Sequence, residues 1–247
     1  MYLTEPKFFD IVIRQFRFKM NANAAAFTTL IILQVVLLFT NISGGFSHGY
    51  DALQLYEQSL SNDAVVAATL FWACILGFLL TSEAQRNESF TFVSNRLSYH
   101  VTNFLFMLTA SIIGGVTAVL TGSVVKLYAI LQFEDIIVTT PGLLVAPSDF
   151  FIRLATAIAY TLLFFMVSYT IGMFIQLNKI FLLLFVIGWI ALTIIENTWA
   201  TFSFMQSIFA FFWHEHSMTV FLLKVSSTIL GLFATSILIT NRLEVRR

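Results

Sequence analysis

EAQRNESFTFVSNRLSYH, residues 83–100, is the longest polar interruption that carries arginine and lies between two membrane-length apolar runs. The flanking runs, 64–81 and 101–122, each fall within the roughly 17–25 residues that a helix needs to cross the hydrocarbon core. Within the interruption Phe90, Phe92 and Leu97 offer apolar contacts, while Arg86, Asn87, Asn95 and Arg96 supply charge and hydrogen bonds at the edge. That mixture suits a handle by which a soluble partner grips a membrane protein. A solvated linker between two helices is the plainer alternative.

Composition supports the membrane setting. The 247 residues are 58% hydrophobic and 11% charged, with 28 phenylalanines, against roughly 25% charged in soluble domains. Too few polar side chains remain to clothe a soluble surface. The three prolines, Pro6, Pro141 and Pro147, fall outside the apolar runs, and no stretch alternates like a barrel strand, so the expected class is an all-α integral membrane protein. Cys74, the single cysteine, is read as a small buried hydrophobe, since one thiol builds neither a disulfide framework nor a cysteine metal cluster.

Working outward, residues 1–20 (MYLTEPKFFDIVIRQFRFKM) place Phe8, Phe9, Phe16 and other apolar residues at spacings of three and four, interleaved with Arg14, Arg17 and two lysines. This pattern predicts a helix with one greasy and one basic face, lying in the membrane interface; the alternative is a cytosolic tail whose charges only set orientation. Six spans are then expected, at about 22–42, 64–81, 101–122, 150–172, 180–195 and 218–240, within a single membrane domain covering 1–247. The first is too long for a signal-peptide core and is followed by no clear cleavage site. Residues 43–63 read as a polar loop, and 123–149 as a longer connection with a short interfacial helix near 127–138. Between the last two spans, the aromatic segment 196–217 suits a helix that dips into the membrane and returns, or an aromatic belt at the interface.

With a cytosolic N-terminus, Lys7, Arg14, Arg17, Lys19, Arg86, Arg96, Lys179, Arg242, Arg246 and Arg247 lie inside, ten of the thirteen basic residues. Lys126, Arg153 and Lys224 lie toward the outside. The positive-inside asymmetry puts both termini in the cytosol.

The chain has no G-x-x-x-x-G-K-[ST] loop, so nucleotide chemistry would have to come from another polypeptide. No nucleophile–base pattern of a known hydrolase occurs, and no catalytic residue is assigned. A membrane-embedded enzyme would need polar residues such as Gln34, His100, Tyr160 and Ser168 to converge at one depth. His214-Glu215-His216 lacks helical metal-ligand spacing and reads as a hydrated turn, so no metal site is expected. Gln34, the lone strong hydrogen-bonding amide in the middle of the first span, faces either a translocation path or a neighbouring helix, and helix packing is the favoured reading. Ala110, Gly114, Ala118 and Gly122 form a four-residue ridge that lets a second helix approach closely, and Ser227, Gly231 and Thr235 repeat the device in the last span. Glu196 and Lys224 either pair across the last hairpin or snorkel separately.

The layout resembles the permease subunits of the ABC-2 exporter class, the six-span type separate from its ATPase. The resemblance is carried by KFFDIVIRQFRFKM before the first span, EAQRNESFTFVSNRLSYH between spans two and three, the small-residue stretch ASIIGGVTAVLTG, and the aromatic insertion before the last span. It implies an N-terminal interfacial elbow helix (Phe8, Phe9, Arg14, Phe16, Arg17) and an ATPase-coupling loop (Arg86, Asn87, Phe90, Phe92, Asn95, Arg96, Leu97). It also implies external re-entrant helices and export of a hydrophobic or amphipathic drug, peptide or lipid. The implied partners are an ABC ATPase subunit, a second permease copy or paralogue, and membrane lipids. Nucleic acid is not expected, and this chain would hold no cofactor because ATP sits on the partner. The expected location is a bacterial plasma membrane. A non-transporting scaffold or immunity protein is the rival reading. The connection 123–149 is longer than this architecture calls for.

Overall fold

The computed structural model describes residues 8–43, 47–50, 55–58, 62–82, 85, 96–132, 147–198, 207, 210–212, 215 and 217–243. They form α1 (Phe8–Ala22), α2 (Ala24–Ser43), β1 (Ser47–Tyr50), β2 (Leu55–Gln58), α3 (Asp63–Leu80), α4 (Arg96–Gln132), α5 (Pro147–Leu177), α6 (Ile180–Thr198) and α7 (Met218–Leu243). Among the described residues the elements are helical apart from β1 and β2, which pair antiparallel with Ser47 opposite Gln58 and Tyr50 opposite Leu55, inside the expected polar loop.

Local chemistry explains several boundaries. Pro147 opens α5, where its missing N–H costs nothing, and Asp149 follows in the first turn at the positive end of the helix dipole. The Ile180 N–H donates to Asn178 Oδ1 at 3.1 Å, so Asn178 caps α6 and breaks it from α5.

Four helical stretches, Asp63–Leu80, Leu97–Val125, Pro147–Leu177 and Met218–Thr240, are long and apolar enough to cross a membrane. The chain is a membrane-spanning helical protein. A fifth crossing is available if α1 and α2, bent by 48° at Asn23, act as one broken span, and Ile180–Ile195 is a shorter apolar helix. Among the described residues the structure thus gives four to five qualifying spans where six were expected. It also lengthens the third, because α4 runs unbroken to Gln132 and takes in the first part of the expected connection.

α5 packs against α3, α4 and α7, while α1 and α2 lie on α4. The core centres on Trp72, Phe106, Met107, Phe165, Met166 and Tyr169, all buried. Trp72 meets Phe165 edge-on at 5.7 Å and donates its indole N–H to the Ala26 carbonyl at 3.0 Å, giving the ring's polar edge a partner. Gln34 is buried and donates to Thr69 Oγ1 at 2.9 Å, tying α2 to α3.

The ridge on α4 is a packing surface. Ala110 and Ala118 are buried. A Cβ on Gly114 would lie 3.2 Å from Thr69 of α3, and one on Gly122 would lie 2.7 Å from Asn62, whose amide donates to the Ala118 carbonyl at 2.9 Å. Gly115, beside the ridge, faces the backbone of α5. The stripe on α7 behaves differently: Ser227, Gly231 and Thr235 are exposed, and nothing approaches Gly231 within 4 Å. Among the described residues it packs no helix. α6 also stands apart, with residues 182–191 all exposed. It shares with α3 and α5 an apolar cleft of about 560 Å³ lined by Phe78, Ile171, Phe185 and Trp189.

These environments predict opposite outcomes for glycine substitutions. A side chain at Gly115 would sit 2.7 Å from Ile158 Cγ1 and 3.0 Å from the Ile158 backbone nitrogen, which cannot swing aside. Gly115→Val should therefore cost about 1–3 kcal/mol, whereas Gly231→Ala should be neutral or slightly stabilising. Thermal unfolding of the detergent-solubilised chain measures both, and equal effects would contradict the packing described.

Candidate functional site

The polar groups gather where the 83–100 stretch meets the bundle. α3 ends at Leu80 and α4 begins at Arg96, and Tyr99 joins the two ends by donating its hydroxyl to the Leu80 carbonyl at 3.1 Å. That carbonyl is among the last four of α3, which no residue of the same helix can satisfy. Just beyond, the Gln85 N–H donates to Ser82 Oγ and the Gln85 amide to Asn23 Oδ1, both at 3.4 Å. Asn23 is the residue at the α1–α2 bend, and its side-chain amide donates back to the Lys19 carbonyl at 2.9 Å. The foot of the loop and the bend are hydrogen-bonded together.

Beneath this foot runs a buried chain of side chains from four helices. Lys19 of α1 donates its ammonium to Asn103 Oδ1 of α4 and lies 5.2 Å from the centroid of the Tyr99 ring, a cation–π distance. Asn103 Nδ2 donates to the Tyr169 hydroxyl of α5 at 3.0 Å, Tyr169 meets His100 Nδ1 at 3.0 Å, and His100 Nε2 meets Thr240 Oγ1 of α7 at 2.8 Å. Alongside, Thr102 donates to Gln15 Oε1 at 3.2 Å, a second tie from α4 to α1. Lys19, His100, Asn103 and Tyr169 are all buried. A polar group removed from water is stable only when hydrogen-bonded, so these side chains fix one another's positions.

The same chain explains how α1 sits. Val12, Gln15 and Lys19 form the stripe buried on α4. Phe8, Phe9, Arg14 and Arg17 are exposed, and Phe16 is half-buried against the core. The basic residues therefore do not share one face: Arg14 and Arg17 stay outside while Lys19 turns inward to Asn103. α1 is bent by 48° from α2 and packs against α4.

Of the loop residues singled out in the sequence, Arg86, Asn87, Phe90, Phe92 and Asn95 lie outside the described residues. Arg96 opens α4 with its side chain likewise outside, and Leu97 is exposed. The Glu196 side chain is also outside the described residues. Lys224 has a carboxylate partner in Glu215, lies 4.2 Å from the Phe211 ring centroid, and donates to the Phe211 carbonyl at 3.2 Å. Tyr160 donates to the next carbonyl, Phe212, at 3.1 Å. Two neighbouring carbonyls in the aromatic segment, those of Phe211 and Phe212, thus receive donors from α7 and α5.

Gln34, His100, Tyr160 and Ser168 are not brought together. They bond respectively to Thr69, to Tyr169 and Thr240, to the Phe212 carbonyl, and to the Phe165 carbonyl. Among the described residues no group of three or more His, Cys, Asp or Glu side chains could hold a metal ion. Comparison with protein-family models, with curated proteins and with solved structures finds no match to this chain.

The buried chain was missed in the sequence, although a signal was present. Polar residues cluster as SYH (98–100) and TN (102–103) at the start of α4 and as SYT (168–170) within α5. Such clusters in apolar runs imply buried partners.

Lys224→Met should leave the Phe211 carbonyl without its donor and Glu215 without its cation, at a cost of about 1–3 kcal/mol. Limited proteolysis of the chain in lipid nanodiscs should then cut within 207–217 faster than in wild type. Unchanged cutting would mean that the clamp does not hold the segment.

Proposed function

We propose that this chain is the permease subunit of an ABC-2 type exporter, providing the path for a hydrophobic or amphipathic substrate while a separate ABC ATPase hydrolyses ATP. One observation carries the proposal: the foot of the 83–100 loop is hydrogen-bonded to the α1–α2 bend and stands on a polar chain that reaches α5 and α7. A push on that loop would be delivered to four helices at once. A plain linker has no need of such an anchor.

In this proposal α1 is the elbow, and α2 to α7 are six spans with both termini in the cytosol of a bacterial cell. The 20 residues of α2 extend about 30 Å, one hydrocarbon thickness. The exposed α6 and the stripe Ser227, Gly231 and Thr235 on α7 supply faces for a second permease copy. Phe90, Phe92 and Leu97 would seat in the ATPase, with Arg86, Asn87, Asn95 and Arg96 around them. Coupling requires that the loop contact two ATPase states differently.

The test is copurification of an ATPase bearing Walker motifs, followed by reconstitution in vesicles. The complex should hydrolyse ATP faster with substrate present, and Phe90→Ala with Arg96→Ala should abolish that stimulation while the complex still assembles. A complex that assembles but shows neither stimulation nor transport would instead mark the chain as a scaffold or immunity protein.

A further inference from the structure

The hydrogen bonds of the buried chain run in one direction only. Lysine's ammonium has donors and no acceptor, so the Asn103 atom facing Lys19 is the carbonyl oxygen Oδ1, and its amide nitrogen must face Tyr169. The Tyr169 oxygen accepts that N–H, which leaves its own proton to be donated to His100 Nδ1 at 3.0 Å. A nitrogen that accepts carries no proton. The imidazole proton therefore sits on Nε2 and is donated to Thr240 Oγ1 at 2.8 Å, and Thr240 donates onward to the Ser236 carbonyl at 3.1 Å. Every member donates to the next, from an ammonium on α1 to a backbone carbonyl on α7.

This order has no place for a second proton on His100. An imidazolium carries N–H on both nitrogens, and its Nδ1–H would face a tyrosine whose hydroxyl proton would lose its acceptor. The titratable and charged groups facing His100 among the described residues are Tyr169 from α5, Lys19 from α1 by way of Asn103, and Tyr99 on its own helix. From α7 come only Thr240 and the Phe233 ring, 6.5 Å away. None of these is a carboxylate, and Lys19 adds charge of the same sign. A buried imidazolium without a counter-charge is costly, so a protonated ring leaves its seat and gives up both Tyr169 and Thr240.

We propose that His100 is a proton-sensitive latch: the neutral ring holds the end of α7 nearest the 83–100 loop against α4 and α5, and uptake of a proton releases it. The latch does not depend on the transport proposal, because its test reads the bundle alone.

The test is hydrogen exchange of the full chain in lipid nanodiscs at about pH 8 and about pH 5, either side of the ordinary histidine range, corrected for intrinsic exchange rates. In wild type, protection across 232–243 should fall by roughly tenfold on acidification, the loss expected from one or two hydrogen bonds. His100→Gln keeps an acceptor toward Tyr169 and a donor toward Thr240 but cannot titrate, and its protection should be the same at both values. Tyr169→Phe should lower protection already at the higher pH. An equal pH response in wild type and His100→Gln, or none in wild type, would overturn the latch. Should His100→Gln fail to fold, nitrogen NMR of a variant with His48, His214 and His216 replaced by glutamine reads the ring directly. It should show the proton on Nε2 and a bare Nδ1 at the higher pH, and a proton on Nδ1 would overturn the proposal.

Discussion

A lysine and a histidine buried among apolar helices have no water to turn to, and that constraint organises the end of the bundle where the 83–100 loop attaches. Lys19 is drawn from the basic face of α1 to Asn103, Tyr169 closes the gap to His100, and His100 reaches Thr240. Because each group needs a partner, the relative positions of α1, α4, α5 and α7 are set together. Leu–Leu contacts alone could not do this, since lipid chains are as good a neighbour for leucine as another leucine.

The rest of the fold follows from letting these helices approach. Gly114, Gly115 and Gly122 on α4 remove side chains where Thr69, the Ile158 backbone and Asn62 come close, and the aromatic core of Trp72, Phe106 and Phe165 fills the space between the same helices. At the far end of α5 and α7, Tyr160 and Lys224 hold the aromatic segment by two successive carbonyls. Polar ties therefore operate at both ends of an apolar bundle. α6 takes part in neither set: it meets α5 through Phe181 and Phe185 against Phe174, and residues 182–191 stay exposed among the described residues.

Much of this was legible in the sequence. The apolar runs announce the spanning helices, the spacing of Phe8, Phe9 and Phe16 announces α1, and the four-residue ridge of α4 lies where helices meet. The length of α4 was not legible from composition alone: past Gly122, Val124, Val125, Leu127 and Leu131 continue at helical spacing, and no proline intervenes before Pro141. The polar clusters were visible but their pairing was not, because the partners are remote, with Lys19 and Asn103 separated by 84 positions and His100 and Thr240 by 140. Periodicity reports which face a residue is on, not which polar group waits opposite. Lys19 looked like one more interfacial cation for that reason, and Lys224, expected to pair with Glu196 or to snorkel, has its described partner in Glu215, whose pattern suggested only a turn.

The central claim is that the polar chain acts as one unit from α1 to α7. A double-mutant cycle on Lys19→Met and Thr240→Val, read by unfolding of the detergent-solubilised protein, tests it most directly, because the two side chains sit at opposite ends of the polar chain and bond to different partners, Asn103 and His100. A single connected unit predicts that the two losses differ from additivity by about 0.5 kcal/mol or more. Strict additivity, within about 0.3 kcal/mol, would show that the helices are tied pair by pair and would contradict the account.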